Sequence, residues 1–362
     1  MGSEMCIRDS SNTNVSALSA GEVAALNTAQ VRGFTASQIQ SLSAGDFAKF
    51  TTTQIGILSA TQVGALSTTN LLSLSNDEMQ ALSTSQVRGL SITQVGALGA
   101  ADVDKFTATQ VGALSTVQIG ALSVTGIGAL TTDQLAALSP VQVGGISGTA
   151  INGTLLQALS AAQVRGLTTT QLSGLDGLSF AAMADTQIQA LSPAQVGSIS
   201  QLEIAALTTA QVQLFSSAQL QGLVAAQLNT LNPDAFADLT PTQIGALSST
   251  QMGQLSTDVI TAFTPDQVGA LSVTQILGLT DTQVPLLSPD AFADLTATQI
   301  GALSSTQTGQ LSTDVIAALT PGEVGALSVT QILGLTDTQI AQLSPDIIAS
   351  MTADQQAALP GA

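Results

Sequence analysis

The feature that most constrains this chain is an eight-residue repeat. A leucine-like residue returns at steps of eight from Leu18 to Ile146, and again from Leu159 to Leu359. It is followed by Ser or Thr, two variable residues, Gln, and then Val or Ile. A continuous α-helix turns about 100° per residue, so an apolar stripe with a period of eight would spiral around it. A strand needs apolar residues at every second position. The period therefore excludes one long helix and fits a plain strand poorly.

Each octad instead has the pattern of a helix start. Ser59 takes the N-cap position and Gln62 the N3 position of a capping box, while Leu58 and Val63 form a hydrophobic staple around them. The same pattern predicts further structural residues, namely the N-caps Ser115, Thr240 and Ser248 and the staple residue Leu247. We therefore predict a helix of one to two turns in each octad.

Proline positions give an independent check on these helix starts. Eight of the ten prolines fall at the predicted N1 position, which proline favours because its missing N–H is not needed there. They are Pro140, Pro193, Pro233, Pro241, Pro265, Pro289, Pro321 and Pro345. The fold class that follows is an all-α repeat solenoid of very short capped helices, with a β-solenoid as the alternative.

Stability in such a chain must come from stacking. One octad buries only a Leu and a Val, which yield roughly 1.5 to 3 kcal/mol each, whereas ordering its backbone costs about 1 to 2 kcal/mol per residue. Repeats of this kind are stable through contacts with their neighbours. The number of octads per turn cannot be read from the sequence; with two per layer, the rod would be on the order of 150 to 200 Å long.

The repeat pattern divides the chain. Residues 1–10 are expected to be an artefactual or disordered N-terminus, because Met5 to Ser10 resemble a translated sequencing adapter, which would make Cys6 non-native. Octads fill residues 11–146 and 159–359, separated by a phase break at 147–158 that we interpret as a kink or subdomain seam. The second array contains a duplicated block of 56 residues, 232–287 and 288–343.

The composition removes most catalytic chemistry. The chain has no His, and its one Cys is Cys6, so a Ser/His/Asp triad, a Cys/His dyad and the usual zinc and haem ligand sets are missing. We therefore predict no enzyme activity, catalytic residue, cofactor or metal site. The net charge of −18 argues against binding to nucleic acid, and no apolar run reaches the length of a membrane helix.

A few groups leave alternatives open. The carboxylate pairs Asp234/Asp238 and Asp290/Asp294 are expected to be first-turn and surface charges, with weak calcium binding as the alternative. The arginines after the Val position, which are Arg32, Arg88 and Arg165, are expected to be exposed charges, with a sparse partner-binding stripe as the alternative. The Ser and Thr rows are explained by capping, although they could also carry glycans or present hydroxyls to ice or sugars.

The motifs LSATQVGAL, LSTVQIGAL and LTPTQIGAL resemble the octapeptide arrays L-[ST]-x-x-Q-[VI]-x-A/G of large, acidic, Cys-poor surface or secreted proteins of bacteria, some of them adhesin-like. The resemblance covers about residues 11–359. It implies an extracellular or cell-surface location, with secretion signals outside this sequence. The functional expectation is a structural spacer or stalk; a solenoid binding module for a protein or glycan is the alternative, and an ice- or surface-binding array is a weaker one.

Overall fold

The computed structural model describes residues 7–359, except for the side chains of residues 177 and 178. Within this range every regular element is a helix and no strand occurs. The α-helices have only four to six residues each, and most begin directly after the predicted N-cap residue. The all-α solenoid of short helices is confirmed, and the β-solenoid alternative is wrong.

The chain forms two compact units, which divide between Leu175 and Asp176. The first unit contains a 3₁₀-helix at Gly148–Ala150 and the following α-helices: Asn12–Ser16, Ala20–Ala24, Thr28–Gly33, Ala36–Ser41, Ala44–Phe47, Thr52–Gly56, Ala60–Gly64, Thr68–Leu72, Asn76–Ala81, Thr84–Arg88, Ile92–Gly96, Ala100–Val103, Ala108–Ala113, Thr116–Ala121, Val124–Gly128, Thr132–Ala136, Pro140–Val143, Gly153–Ala158, Ala161–Val164 and Thr169–Ser173.

The second unit contains a 3₁₀-helix at Val284–Leu286 and the following α-helices: Gly177–Ala181, Asp185–Ala190, Pro193–Gly197, Gln201–Ala205, Thr209–Gln213, Ser217–Gly222, Ala225–Leu228, Pro233–Ala237, Pro241–Ile244, Ser249–Gly253, Thr257–Thr261, Pro265–Gly269, Val273–Gly278, Pro289–Ala293, Ala297–Gly301, Ser305–Gly309, Thr313–Ala318, Pro321–Ala326, Val329–Leu333, Asp337–Ile340, Pro345–Ser350 and Ala353–Ala357. The eight N1 prolines all start helices here or in the first unit.

Each turn of the solenoid contains three octads. In both units a helix packs on the one three octads later; for example, Ile92–Gly96 packs on Thr116–Ala121, which packs on Pro140–Val143. A layer is therefore 24 residues, and each layer carries three helices. We call a series of helices that stack in this way a column. With three octads per layer the same chain makes fewer layers, so the length estimated for two octads per layer is too large.

The core is built from the two apolar positions of the octad. The leucine position and the Val or Ile position are buried along both units, as at Leu58, Val63 and Leu247. The three helices of each layer bury these side chains together, and an isolated octad lacks that burial. Stacking thus supplies the apolar contacts that offset the cost of ordering the backbone.

Small residues allow the layers to approach closely. A Cβ added to Gly89 would lie 2.9 Å from both the carbonyl carbon and the Cβ of Ala60, in the layer below. The backbone of Gly89 is itself unstrained, with φ of −75°. Glycine is needed here because no side chain fits between the stacked helices.

The phase break is a shortened octad within continuous stacking. Its helix is the 3₁₀-helix Gly148–Ala150, which packs on Val124–Gly128 of the preceding layer. Beyond it, Gln163 donates to the carbonyls of Leu135 and Leu138, which lie 28 and 25 residues earlier instead of the usual 31 and 28. The layer is thus three residues shorter, and the boundary between the units lies farther along the chain, after Leu175.

Part of the expected N-terminal artefact takes part in this stacking. Residues 1–6, including Cys6, lie outside the described residues. The side-chain amide of Gln38 donates to the carbonyls of Ile7 (2.7 Å) and Ser10 (2.8 Å). The carbonyls of Ile7 and Ser10 lie 31 and 28 residues before Gln38, the same spacings as for the other N3 glutamines that connect layers.

Candidate functional site

The predicted cap residues all form capping boxes. Ser59 Oγ accepts from the backbone N–H of Gln62 (3.2 Å), and Gln62 Oε1 accepts from the N–H of Ser59 (2.7 Å). Ser115, Thr240 and Ser248 make the same pair of bonds with the glutamine three residues later. Each box satisfies two N–H groups that the first turn of a helix leaves without partners.

The glutamines have a second role that the sequence analysis missed. The Nε2 group of Gln62 also donates to the carbonyls of Val31 (3.0 Å) and Phe34 (2.8 Å), at the end of a helix in the layer below. Gln94, Gln219, Gln275 and many other N3 glutamines do the same with carbonyls 31 and 28 residues earlier. One side chain therefore caps the start of its own helix and the end of another.

Two octads replace this glutamine with an ion pair. Asp46 stands at N3, where its carboxylate has no N–H to donate, and Lys49 Nζ instead donates to the carbonyl of Leu18 (2.7 Å) while pairing with Asp46 (2.8 Å). The hydrogen bond from Lys49, followed by that from Ser43, lowers the pKa of Asp46. Asp102 and Lys105 repeat the arrangement on the carbonyl of Leu74.

Two arginines, Arg32 and Arg88, also connect layers. The Nε of Arg32 donates to the carbonyl of Ile57 (3.1 Å), and that of Arg88 to the carbonyl of Ala113 (3.0 Å), in each case 25 residues later. Both therefore bind a helix end in the next layer, so their guanidinium groups have a structural role. Cationic groups at a helix C-terminus also interact favourably with its dipole.

The acidic pairs do not form a cluster of metal ligands. Asp234 lies in the first turn of Pro233–Ala237 and Asp238 follows its last residue, and Asp290 and Asp294 repeat this arrangement. Among the described residues, no group of three or more His, Cys, Asp or Glu side chains lies close enough to hold a metal ion. The geometry gives the calcium alternative no support.

Copies of the 56-residue block face different sides of the solenoid. Leu277 and the equivalent Leu333 are large exposed apolar residues, 55% and 65% exposed. The helix of Leu277, Val273–Gly278, stacks on Ser249–Gly253 and Ala297–Gly301, whereas the helix of Leu333 stacks in the column of Ser305–Gly309 and Ala353–Ala357. Seven octads are two layers plus one octad, so each copy is displaced by one column.

The same 56-residue spacing extends into the first unit. It separates Arg32 from Arg88 and Lys49 from Lys105, and each pair makes the same interlayer hydrogen bond. This recurrence extends the spacing of the 56-residue block to interlayer contacts of the first unit. It also shows that copied contacts work equally well in different columns.

Comparison with known proteins supports the repeat and little beyond it. None of the described helices has the length and apolar character needed to cross a bilayer. A search of curated proteins found no match. A protein-family model for the ALTTAQ repeat matches residues 103–140, so this part of the chain is similar to that repeat and supports a repeat array.

Proposed function

We propose that this chain is a structural spacer or stalk segment of a secreted or cell-surface bacterial repeat protein. The observation that carries the proposal is the displacement of each 56-residue copy by one column. A surface selected to bind one partner needs its features on one face, whereas here Leu277 and Leu333 lie in different columns. Duplication has preserved stacking and has not preserved a face.

The layer arrangement supports the same role. Within both units, layers are held together by glutamine hydrogen bonds and by close glycine contacts, and the same contacts recur along the array. Addition of octads extends such a stack without new chemistry, because each repeat contacts only its neighbours. A net charge of −18 keeps neighbouring copies apart in solution.

Small-angle X-ray scattering on the full chain and on a variant lacking residues 288–343 tests the spacer role. The deletion keeps the octad phase, so the proposal expects both proteins to be extended and the variant to be shorter by about 20 Å, given helix layers about 8 to 10 Å apart. Circular dichroism controls for folding of the variant. A compact particle, or a maximum dimension unchanged by the deletion, contradicts the proposal.

A second candidate is a solenoid binding module for a protein or glycan. It is favoured by Ile92, Val117 and Val141, which are 57%, 62% and 71% exposed and lie on three successive helices of one column. A glycan array probed with the full chain tests this candidate for sugars. The triple serine variant at these positions is the matched control, and equal signals from both proteins exclude the column as a glycan surface.

A further inference from the structure

Glu203 departs from the glutamine rule at a buried position. It stands at N3 of the helix Gln201–Ala205 and is 0% exposed. Its Oε2 accepts from the backbone N–H of Ser200 (3.0 Å), and its own N–H donates to Ser200 Oγ (3.3 Å). Its other oxygen, Oε1, has no hydrogen-bond partner among the described residues. A buried oxygen without a partner is costly, because it has lost water and gained nothing.

The next layer shows what this position normally provides. Gln227 lies in the same column, and its Nε2 donates to the carbonyls of Ile199 (2.6 Å) and Val196 (3.3 Å), while its Oε1 accepts from the N–H of Val224. A carboxylate can replace only the acceptor. A neutral carboxylic acid, in contrast, has one O–H donor and one carbonyl acceptor. The proton makes a glutamate resemble the glutamine that the repeat requires.

The surroundings of Glu203 favour the neutral form. Burial is the largest effect and raises the pKa of Glu203; the hydrogen bonds from Ser200 oppose it, and the charge of Asp176 raises it further. Two helices of the same unit, Gly177–Ala181 and Ala225–Leu228, pack on Gln201–Ala205, and neither contains a titratable residue. Asp176 immediately precedes the first of them. No cation in these elements offsets a charge on Glu203.

We propose that Glu203 is a pH-sensitive residue of the repeat: protonated, its carboxyl group carries the donor that a glutamine amide supplies at N3, and ionised, it places an unpaired charge in a buried position and loosens its own helix. Because its pKa in the folded protein lies above the unfolded value, the stabilising contribution is complete at acidic pH and is lost as the pH rises through the folded pKa. The stability of this octad thus depends on proton concentration, a property beyond that of a passive spacer.

Carboxyl carbon NMR of the full chain measures the proton directly. The sequence has five glutamates, so selective labelling with ¹³C-glutamate gives few signals, and Glu203→Gln identifies one of them. We expect the Glu203 signal to titrate above 4.5, the ordinary value for this group, and the signal of Glu22 to titrate below it. A Glu203 midpoint at or below the ordinary value overturns the proposal.

Hydrogen exchange and thermal unfolding measure the consequence. Glu203→Gln is expected to raise Tm by a few degrees at pH 8 and to slow exchange in residues 200–207, with both differences shrinking towards pH 4. Glu22→Gln is the matched control, since Glu22 occupies the same position but is exposed and has a lowered pKa from the Ser19 N–H bond, so it should not gain stability at pH 8. A Glu203→Gln effect independent of pH contradicts the proposal.

Discussion

The ammonium group of Lys49 donates to the carbonyl of Leu18 at 2.7 Å, and this carbonyl lies 28 residues before Asp46, where the rule of the repeat places the acceptor of an N3 glutamine. Lys49 therefore supplies the donor that Asp46 lacks. We expect Lys49→Met to lower the free energy of unfolding by about 1 to 3 kcal/mol, because it leaves a carbonyl and a carboxylate without their partner.

The double variant Asp46→Gln with Lys49→Met tests this exchange. The glutamine should reach the Leu18 carbonyl itself, so the double variant is expected to regain most of the loss. Urea denaturation of the wild type, the two single variants and the double variant gives the coupling between the sites. If the losses in free energy of unfolding of the two single variants add up in the double variant, Lys49 does not replace the glutamine amide.

The interlayer role of glutamine predicts that Gln94→Glu is destabilising although it keeps the capping box. The carboxylate still accepts from the Ser91 N–H, but it cannot donate to the carbonyls of Val63 and Leu66. The loss of these bonds at a buried site is expected to cost about 1 to 3 kcal/mol at neutral pH. Hydrogen exchange of the backbone amides around residues 63–66 measures this loss of stability.

Gln30→Glu is the control for that substitution. Gln30 is a partly buried N3 glutamine whose Oε1 accepts from the Asn27 N–H at 2.9 Å. Glutamate can fill that role and also suits the first turn of a helix. A loss as large as that of Gln94→Glu would mean that the helix start, and not the layer contact, selects glutamine.

The unpartnered side-chain oxygen of Asn70 predicts that a longer amide side chain would be stabilising. Its Nδ2 donates to the carbonyl of Leu42 (2.9 Å), but its buried Oδ1 has no partner among the described residues, because the shorter side chain does not complete the capping box with Ser67. Asn70→Gln should restore that bond and add about 0.5 to 1.5 kcal/mol. An unchanged or lower denaturation midpoint would show that this site lacks room for the longer side chain.

Two glycines at helix ends test the packing of layers, since one contacts the layer below and the other has no neighbour near an added Cβ. Gly89→Ala should cost about 1 to 3 kcal/mol, because its Cβ would press on Ala60 in the layer below. Gly128→Ala should instead be neutral or add up to about 1 kcal/mol, since nothing lies within 4 Å of its Cβ and alanine is the better helix former. Equal effects in thermal unfolding would exclude interlayer contact as the reason for glycine.

The capping interactions predict one substitution that lowers stability and one that raises it. Ser248→Ala removes the acceptor of the Gln251 N–H and should cost about 0.5 to 2 kcal/mol. Val224 occupies an N-cap position without making a side-chain cap, so Val224→Ser should stabilise by a comparable amount. Denaturation midpoints that move the same way in both variants would contradict the capping account.

The sequence predicts the local structure of this protein well, because that structure is local in origin. Ser59, Gln62, Leu58 and Val63 lie within six residues, and the capping box and staple depend only on this spacing. The eight N1 prolines start helices for the same reason. The number of octads per layer depends instead on contacts 24 residues apart, and one octad carries no signal that distinguishes two per turn from three.

The role of glutamine between layers is missed because capping already explains the residue. Two signals in the sequence indicate it nonetheless. Glutamate would serve the helix start at least as well, yet glutamine fills most N3 positions. Where Asp46 and Asp102 replace it, a lysine follows three residues later in both cases. The amide is therefore selected for its N–H groups, which a helix start alone does not require.

The mismatch between a block of seven octads and a turn of three means that the unit of inheritance in this protein differs from its unit of structure. A duplication need only preserve the octad, since any octad can stack in any column, and three successive blocks return a feature to its original side after seven full turns. Recombination between misaligned repeats thus yields foldable chains at many lengths, and length can vary between descendants without a new fold having to arise.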